Sequence, residues 1–118
     1  ILIIILDNQK PFYFQKRSGL HGKEFKIIKF QTMKNNKNIK KITKFGKFLR
    51  DTKIDELPQL FNVLFLEMSL IGPRPLYIDF NYYYSNFHSE RLNVKPGITG
   101  ISQIRIKNPN LWKKKFDY

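Results

Sequence analysis

The chain has no cysteine among its 118 residues, and this absence sets the first limit on its chemistry. Disulfide bonds, thiolate metal sites and redox chemistry at sulfur are all excluded. Negative charge is also scarce, with 9 acidic side chains against 22 lysines and arginines. The net charge of +13 predicts an anionic partner, for which nucleic acid, anionic lipid headgroups and phosphorylated small molecules are the candidates.

Long hydrophobic runs are missing as well. A membrane-spanning helix needs roughly 20 consecutive apolar residues, and the run from Ile1 to Leu6 is much shorter. No basic region precedes this run, so it does not resemble a signal peptide. Because the chain begins inside an apolar run and without Met, we expect it to be part of a longer protein.

The length and the apolar content of 42% predict one small α+β domain over residues 1–118, with a modest core. Two strands, Phe12–Gln15 and Phe25–Phe30, carry β-branched and aromatic residues. The intervening Ser18–Lys23 contains two glycines and predicts a hairpin loop. The predicted fold is therefore an N-terminal β-hairpin followed by short amphipathic helices.

Three helices are predicted after the hairpin. Thr43–Arg50 has apolar and basic faces, although Gly46 costs about 1 kcal/mol inside a helix. A second helix begins with Asp55 as its cap and runs to about Leu66, with an apolar stripe expected to face the core: Leu57, Leu60, Phe61 and Leu64. Leu76–His88 predicts a third helix whose aromatic side is expected to be core, the alternative being a membrane surface.

Eight basic residues lie between Lys34 and Lys53, mostly three apart, which predicts a positive stripe on a helix. A solvated charged face is the plainest interpretation. Near an anionic membrane, however, each Lys or Arg contributes about 1 kcal/mol, so the stripe also predicts salt-reversible attachment to such a surface.

Asp55 and Glu56 are adjacent carboxylates that open an apolar segment in an otherwise basic protein. At a helix N-terminus and close to cations, both should be ionised, and an ionised carboxylate is a nucleophile or a metal ligand. The alternative is structural, since Asp and Glu are ordinary residues of a first helical turn.

Arg74 lies between Pro73 and Pro75, which restrict the backbone on both sides of it. A guanidinium presented from a stiff loop suits planar recognition of phosphate, and a plain turn is the alternative. The glycine-bearing loop Lys95–Gly100 is a weaker candidate for close approach to an anion.

Taken in order, these motifs resemble the bacterial sugar transferases, also called monotopic polyprenyl-phosphate phosphoglycosyl transferases. The resemblance covers nearly the whole chain and rests on five stretches: Phe25–Phe30, Thr43–Arg50, Asp55–Leu60, Met68–Pro75 and Lys95–Gly100. It implies a catalytic domain that acts at the cytoplasmic face of the bacterial inner membrane, where it initiates assembly of a surface glycan. Compared with this family, the sequence is expected to be truncated at both ends.

The resemblance also implies roles for individual residues. Asp55 would be the nucleophile that takes a phosphosugar from a nucleotide diphosphate sugar and passes it to a polyprenyl phosphate. Glu56 would bind Mg²⁺ or assist proton transfer, making these two residues the catalytic pair. The substrate- or phosphate-binding residues would be Arg50, Arg74, Lys29 and Lys107, the last standing where an arginine is expected.

Two other functions fit parts of the pattern. A nucleic-acid-binding module would explain the charge and the aromatic residues, but it gives Asp55, Glu56 and Arg74 no role, so no nucleic acid is expected as a partner. A non-catalytic remnant that adheres to anionic membranes would explain the charge alone. The sugar, the acceptor length and the oligomeric state are not readable from the sequence.

Overall fold

This computed structural model describes residues 10–36 and 39–105, which form an α+β fold with three two-stranded sheets. Strand β1 (Phe12–Ser18) pairs antiparallel with β2 (Glu24–Phe30) from end to end. The predicted hairpin is confirmed, and β1 is three residues longer than predicted. Its last residue is held because the Ser18 amide donates to the Leu76 carbonyl, which ties the hairpin to a later loop.

The basic segment after the hairpin is divided between a second hairpin and a helix. Strands β3 (Met33–Asn36) and β4 (Ile39–Ile42) are antiparallel, and helix α1 (Lys44–Asp51) follows. Thr43 caps α1 by accepting a hydrogen bond from the Gly46 amide at 2.8 Å. The predicted helix is confirmed, but the positive stripe spans a hairpin and a helix rather than one helix.

Gly46 is required by the packing of α1 against the segment after β2. A Cβ at this position would overlap the backbone of Thr32, so only glycine allows the helix to approach so closely. The Thr43 amide also donates to the Thr32 carbonyl at 3.2 Å. The cost of glycine in the helix is thus offset by a contact that fixes α1 on the segment after β2.

The carboxylate pair does not open a long helix, so the expectation that Asp55 caps one is wrong. Ile54–Glu56 forms a separate 3-10 turn, and α2 (Gln59–Leu64) starts after Pro58. Lys53 precedes the turn with a left-handed backbone at φ 62°, and no side-chain bond caps either element. The sharp turn at Lys53 reverses the chain just before the pair.

Helix α2 faces the core with its polar side, which contradicts the predicted apolar stripe. Asn62 is fully buried and Gln59 nearly so, whereas the four predicted core residues are 45 to 73% exposed: Leu57, Leu60, Phe61 and Leu64. The Asn62 amide explains the orientation. Its Oδ1 accepts from the Ile28 amide at 3.1 Å and its Nδ2 donates to the Lys26 carbonyl at 2.9 Å, so side-chain hydrogen bonds attach α2 to β2.

Strands β5 (Ser69–Ile71) and β6 (Gly97–Thr99) pair in parallel. Added Cβ atoms on Gly97 and Gly100 would overlap the backbone around Gly72. The Lys95–Gly100 loop therefore uses its glycines for close contact with another backbone segment, and not with an anion as expected.

The predicted helix over Leu76–His88 is wrong. A 3-10 segment covers Ile78–Tyr83, the chain is extended at Tyr84, and α3 (Asn86–Ser89) begins where Ser85 caps it. Three of the five residues on the predicted aromatic side are exposed and not core, namely Tyr77, Tyr83 and Phe87 at 46%, 82% and 66%. Ser85 is the physical reason for the break, since an N-capping serine starts a new helix.

The core is small and lies between the first hairpin, α2 and the β5–β6 sheet. Phe25, Ile27 and Met68 are buried together, with Val63 and Ile98 packed against them. The chain continues through a 3-10 turn at Glu90–Asn93 to β6 and then to a last helix, α4 (Ile101–Arg105). None of the helices in the described ranges is long and apolar enough to cross a membrane.

Candidate active site

The turn at Ile54–Glu56 places both carboxylates beside the first hairpin. Helix α1 ends with the Thr52 hydroxyl donating to the Phe48 carbonyl at 2.8 Å, and the left-handed Lys53 then redirects the chain. The turn closes when the Leu57 amide donates to the Ile54 carbonyl at 3.1 Å. Asp55 is buried there, with 8% of its surface exposed, so the acidic residue implied as the nucleophile is shielded from bulk water.

Glu56 is the centre of an ion-pair network that joins three distant parts of the sequence. Lys29 Nζ donates to Glu56 Oε1 at 2.7 Å, and a guanidinium nitrogen of Arg74 lies 3.4 Å from the same oxygen. The Lys29 and Glu56 side chains are only 18% and 15% exposed. Such an ion pair, largely removed from water, fixes the carboxylate more strongly than a surface pair would.

Arg50 reaches the same region from the last turn of α1. Its Nε donates to the Thr32 hydroxyl at 2.9 Å, and this bond holds the guanidinium against the segment after β2. Arg74 is held from the other side, because an Arg91 guanidinium nitrogen donates to its carbonyl oxygen at 3.3 Å. Four of the predicted site cations and carboxylates are thus positioned by hydrogen bonds to backbone or to neighbouring side chains.

A cavity of about 510 Å³ opens over the carboxylates. This volume is in the range of small-molecule sites in proteins. One part of its wall is charged: Lys29, Lys34, Arg50, Lys53, Asp55 and Glu56. Another part is aromatic or amide: Tyr13, Gln15, Phe30, Gln31 and Tyr77. The structure therefore brings Asp55, Glu56, Lys29 and Arg50 to one cavity, while Arg74 contacts it through Glu56.

The two neighbouring carboxylates have opposite electrostatic environments. Burial raises the pKa of Asp55, and the charge of Glu56 adds to this, against the opposing effects of Lys29, Arg50 and Lys53. Burial also acts to raise the pKa of Glu56, but the hydrogen bond and charge of Lys29, with Arg74 and Lys53, lower it overall. The prediction that both would ionise readily is thus right in direction for Glu56 and wrong for Asp55.

Several cavity residues were missed in the sequence. Tyr13 and Gln15 alternate along β1, and Tyr77 follows the Pro-flanked arginine by three positions, but no spacing in the sequence relates them. Lys53 was counted only as part of the basic stripe. Lys107, predicted to bind phosphate, and Ile1 to Leu6 lie outside the described residues.

Among the described residues, the acidic side chains that line the cavity are those of Asp55 and Glu56. No group of three or more His, Cys, Asp or Glu side chains that could hold a metal occurs within residues 10–36 and 39–105. Mg²⁺ is commonly held by one or two carboxylates while substrate phosphates and water complete its octahedral shell. Asp55 and Glu56, on one cavity wall, are a donor set of this kind.

Comparison with known protein families gives a match over the whole sequence. The model of the bacterial sugar transferases matches residues 1–118. An uncharacterized sugar transferase of Bacillus subtilis, EpsL, is 44% identical over 99% of this chain and 62% of its own length.

Two further relatives have names that state an activity. The UDP-glucose:undecaprenyl-phosphate glucose-1-phosphate transferase of Xanthomonas campestris is 42% identical over 91% of this chain and 26% of its own length. The undecaprenyl-phosphate galactose phosphotransferase of Salmonella typhimurium is 37% identical over 86% of this chain and 27% of its own length. The chain thus spans about a quarter to three fifths of these relatives.

Proposed function

The chain belongs to the bacterial sugar transferase family, and from this premise we propose that it transfers a sugar phosphate from a nucleotide diphosphate sugar to a membrane polyprenyl phosphate. The observation that carries the proposal is the meeting of Asp55, Glu56, Lys29 and Arg50 at one cavity, with Arg74 paired to Glu56. Carboxylates among fixed cations are what phosphoryl transfer mainly requires of a protein.

In the proposed first step, an Asp55 carboxylate oxygen attacks the phosphorus next to the sugar. A phosphorus–oxygen bond forms to Asp55, the bond to the bridging oxygen breaks, and the nucleoside monophosphate leaves with that electron pair. In the second step a polyprenyl phosphate oxygen attacks the same phosphorus. The bond to Asp55 breaks, which regenerates the carboxylate and releases a polyprenyl diphosphate sugar.

The cations have a defined part in this scheme. Arg50 and Lys29 line the cavity and neutralise phosphate oxygens as charge moves onto the leaving group. Arg74 does not line this cavity, and it positions the Glu56 carboxylate together with Lys29. Lys107 is assigned to phosphate on the family resemblance alone. Buried Asp55 reacts only when ionised, so its raised pKa places the acid limit of the reaction above that of an ordinary aspartate.

We propose that Glu56 would hold Mg²⁺, with Asp55 as the neighbouring carboxylate. When bound, the ion would supply positive charge that stabilises the transferring phosphoryl group. Among the residues described, Lys29 and Arg74 keep the Glu56 carboxylate in place by their contacts with its Oε1.

We further propose that the domain works at an anionic membrane surface, on the cytoplasmic face of the inner membrane, and that it initiates a surface glycan. The acceptor is a lipid, so the catalytic cavity must lie near the bilayer. The basic helix α1 and the exposed apolar side chains of α2 support this location.

The proposal is tested by intact mass spectrometry after incubation of the protein with UDP-glucose or UDP-galactose and Mg²⁺. We expect a phosphosugar adduct on Asp55, which disappears on addition of undecaprenyl phosphate. Asp55→Asn keeps the shape but lacks the anionic nucleophile, so it should form no adduct. An Asp55→Asn variant with undiminished turnover would contradict the covalent step, and loss of the adduct in EDTA would support the metal.

A further inference from the structure

Tyr77 is an aromatic side chain of the cavity wall to which the transfer chemistry gives no role. The guanidinium carbon of Arg17 lies 3.7 Å from its ring centroid, so one ring face is covered by a stacked cation. Tyr77 is 46% exposed and lines the cavity, whereas Arg17 lies outside the cavity wall. Part of the Tyr77 side chain is therefore presented to the cavity, and its ring also packs at a tilt against Phe80, with the ring centroids 6.3 Å apart.

A chain of hydrogen bonds fixes this ring. Arg17 donates to Gln15 Oε1 at 2.6 Å, and Gln15 Nε2 donates to the Tyr77 hydroxyl at 3.2 Å. Because Arg17 can only donate, it determines which way the Gln15 amide points. The ring is thus held on its face by Arg17 and on its edge by Gln15, which prepares a rigid flat surface before any ligand arrives.

The strand register places this surface next to the charged part of the site. Tyr13, Gln15 and Arg17 alternate along β1 and share one face of the hairpin. Tyr13 is directly opposite Lys29, the residue that bonds Glu56. Gln15, which bonds Tyr77, is two residues along β1 from Tyr13. Because two residues of a strand span about 7 Å, the contact with Tyr77 lies about that distance along the hairpin from the Lys29 position.

We propose that Tyr77 is the platform on which the base of the nucleotide stacks, with Tyr13 and Gln15 as the adjoining wall. The inference rests on the proposed function and names the part of the cavity that selects the nucleotide. A planar base extends the existing stack of guanidinium and phenol ring, whereas a sugar ring is puckered and covers less of a flat surface. The diphosphate is then directed toward Lys29 and Arg50.

The two half-reactions test this assignment, because the nucleotide leaves before the acceptor reacts. In Tyr77→Leu, adduct formation at subsaturating UDP-glucose should slow about tenfold, the effect expected for loss of one base–aromatic stack. The rate at saturating UDP-glucose should be unchanged, and so should discharge of a preformed adduct to undecaprenyl phosphate. Tyr77→Phe keeps the ring but loses the hydroxyl that Gln15 bonds, so it should retain most of the subsaturating rate that Tyr77→Leu loses.

Tyr83→Leu is the matched control, since Tyr83 is 82% exposed and does not line the cavity. It should change neither half-reaction. Thermal unfolding of the three variants shows whether each is folded. If Tyr77→Leu slows both half-reactions equally, the residue has a structural role and the assignment is wrong.

A second measurement isolates the base and needs no turnover. Ribose 5-phosphate has a hydroxyl at the carbon where UMP has its base, so the ratio of their dissociation constants, measured by equilibrium dialysis, reports base binding. Tyr77→Leu should reduce about tenfold the factor by which UMP binds more tightly than ribose 5-phosphate. Arg50→Gln should weaken the binding of both ligands and leave this factor unchanged. A constant ratio in Tyr77→Leu, with an altered preference between UDP-glucose and UDP-galactose, would assign Tyr77 to the sugar and overturn the inference. Because dialysis is independent of the adduct, failure of the transfer reaction and failure of the base site are distinguishable.

Discussion

Asp55 and Glu56 are adjacent in the chain, yet the fold shifts their pKa values in opposite directions. Asp55 is buried in a turn that raises its pKa, and Glu56 has Lys29 and Arg74 on one oxygen, which lowers its pKa. A nucleophile that is costly to ionise is more reactive once ionised, and a firmly ionised neighbour is suited to hold positive charge. The surroundings of each side chain therefore suit Asp55 to act as the nucleophile and Glu56 to hold positive charge, a difference that the sequence does not reveal.

These shifts predict opposite stability effects for two isosteric substitutions. The folded state binds the Asp55 proton more tightly than the unfolded state, so ionisation of Asp55 destabilises the fold as pH rises through its raised pKa. Asp55→Asn should then be more stable than wild type at pH 7, and the difference should vanish below the ordinary value of 3.8. Glu56 contributes stability above 4.5 that is lost as pH falls through its lowered pKa.

Glu56→Gln should accordingly be less stable at pH 7, by about 1–3 kcal/mol for loss of charged hydrogen bonds, and should approach wild type in acid. Thermal unfolding of both variants and wild type from pH 3 to pH 8 measures the effect. The same sign of change for the two variants at pH 7 would contradict the electrostatic account.

At the scale of single elements, local sequence patterns predicted the secondary structure correctly where strand propensity or a helix cap determines it. The first hairpin and α1 follow from strand-forming residues and from Thr43 as a helix cap. The resemblance to one family also identified Asp55, Glu56, Lys29 and Arg50, which the fold brings to one cavity.

Patterns failed where tertiary contacts decide the structure. Helix α2 has its apolar residues on the exposed side because Asn62 bonds to the backbone of β2, and periodicity alone cannot weigh such bonds. Tyr77 was missed as a cavity residue because its partners, Gln15 and Arg17, are about sixty positions away in the sequence. Long-range polar contacts of this kind have no periodic signature.

The role of Asn62 gives a prediction opposite to the sequence pattern. Asn62→Leu makes α2 more apolar, but it leaves the Ile28 amide and the Lys26 carbonyl without their partner and removes a bond to Glu67 at 2.7 Å. We expect a loss of about 2–4 kcal/mol in the free energy of unfolding, measured by urea denaturation. Leu64→Asn, on the 73% exposed side, should change it by less than about 0.5 kcal/mol. Equal stability of Asn62→Leu and wild type would mean that these bonds do not orient the helix.

At the scale of the whole molecule, the described residues combine a small core with a large exposed apolar ridge. The ridge follows α2 and its C-terminal turn and consists of Leu57, Leu60, Phe61, Leu64, Phe65 and Leu66. A water-soluble surface rarely carries so many large apolar side chains together, and such a surface commonly marks a protein or membrane contact. Beside it in the sequence, α1 carries the basic residues that attract anionic headgroups.

This combination changes what is expected of membrane attachment. The basic stripe alone predicts complete release from anionic liposomes at roughly half-molar salt, where the Debye length is only a few ångströms. The ridge adds a contribution that salt does not screen, since complete burial of a Leu or Phe side chain contributes about 1.5–3 kcal/mol. We therefore predict that the protein sediments with anionic liposomes at low salt and that part of it remains bound at half-molar salt.

Two substitutions separate these contributions. Leu64→Gln with Phe65→Gln removes side chains that are 73% and 68% exposed, so the salt-resistant fraction should be lost while low-salt binding remains. Lys44→Gln with Lys47→Gln removes two basic residues of α1. This variant should bind less at low salt and keep the salt-resistant fraction. Full release of the wild type by salt would assign attachment to charge alone. A titration with single-stranded DNA and RNA completes the test, since base-dependent binding that outlasts liposome binding as salt rises would make nucleic acid the anionic partner.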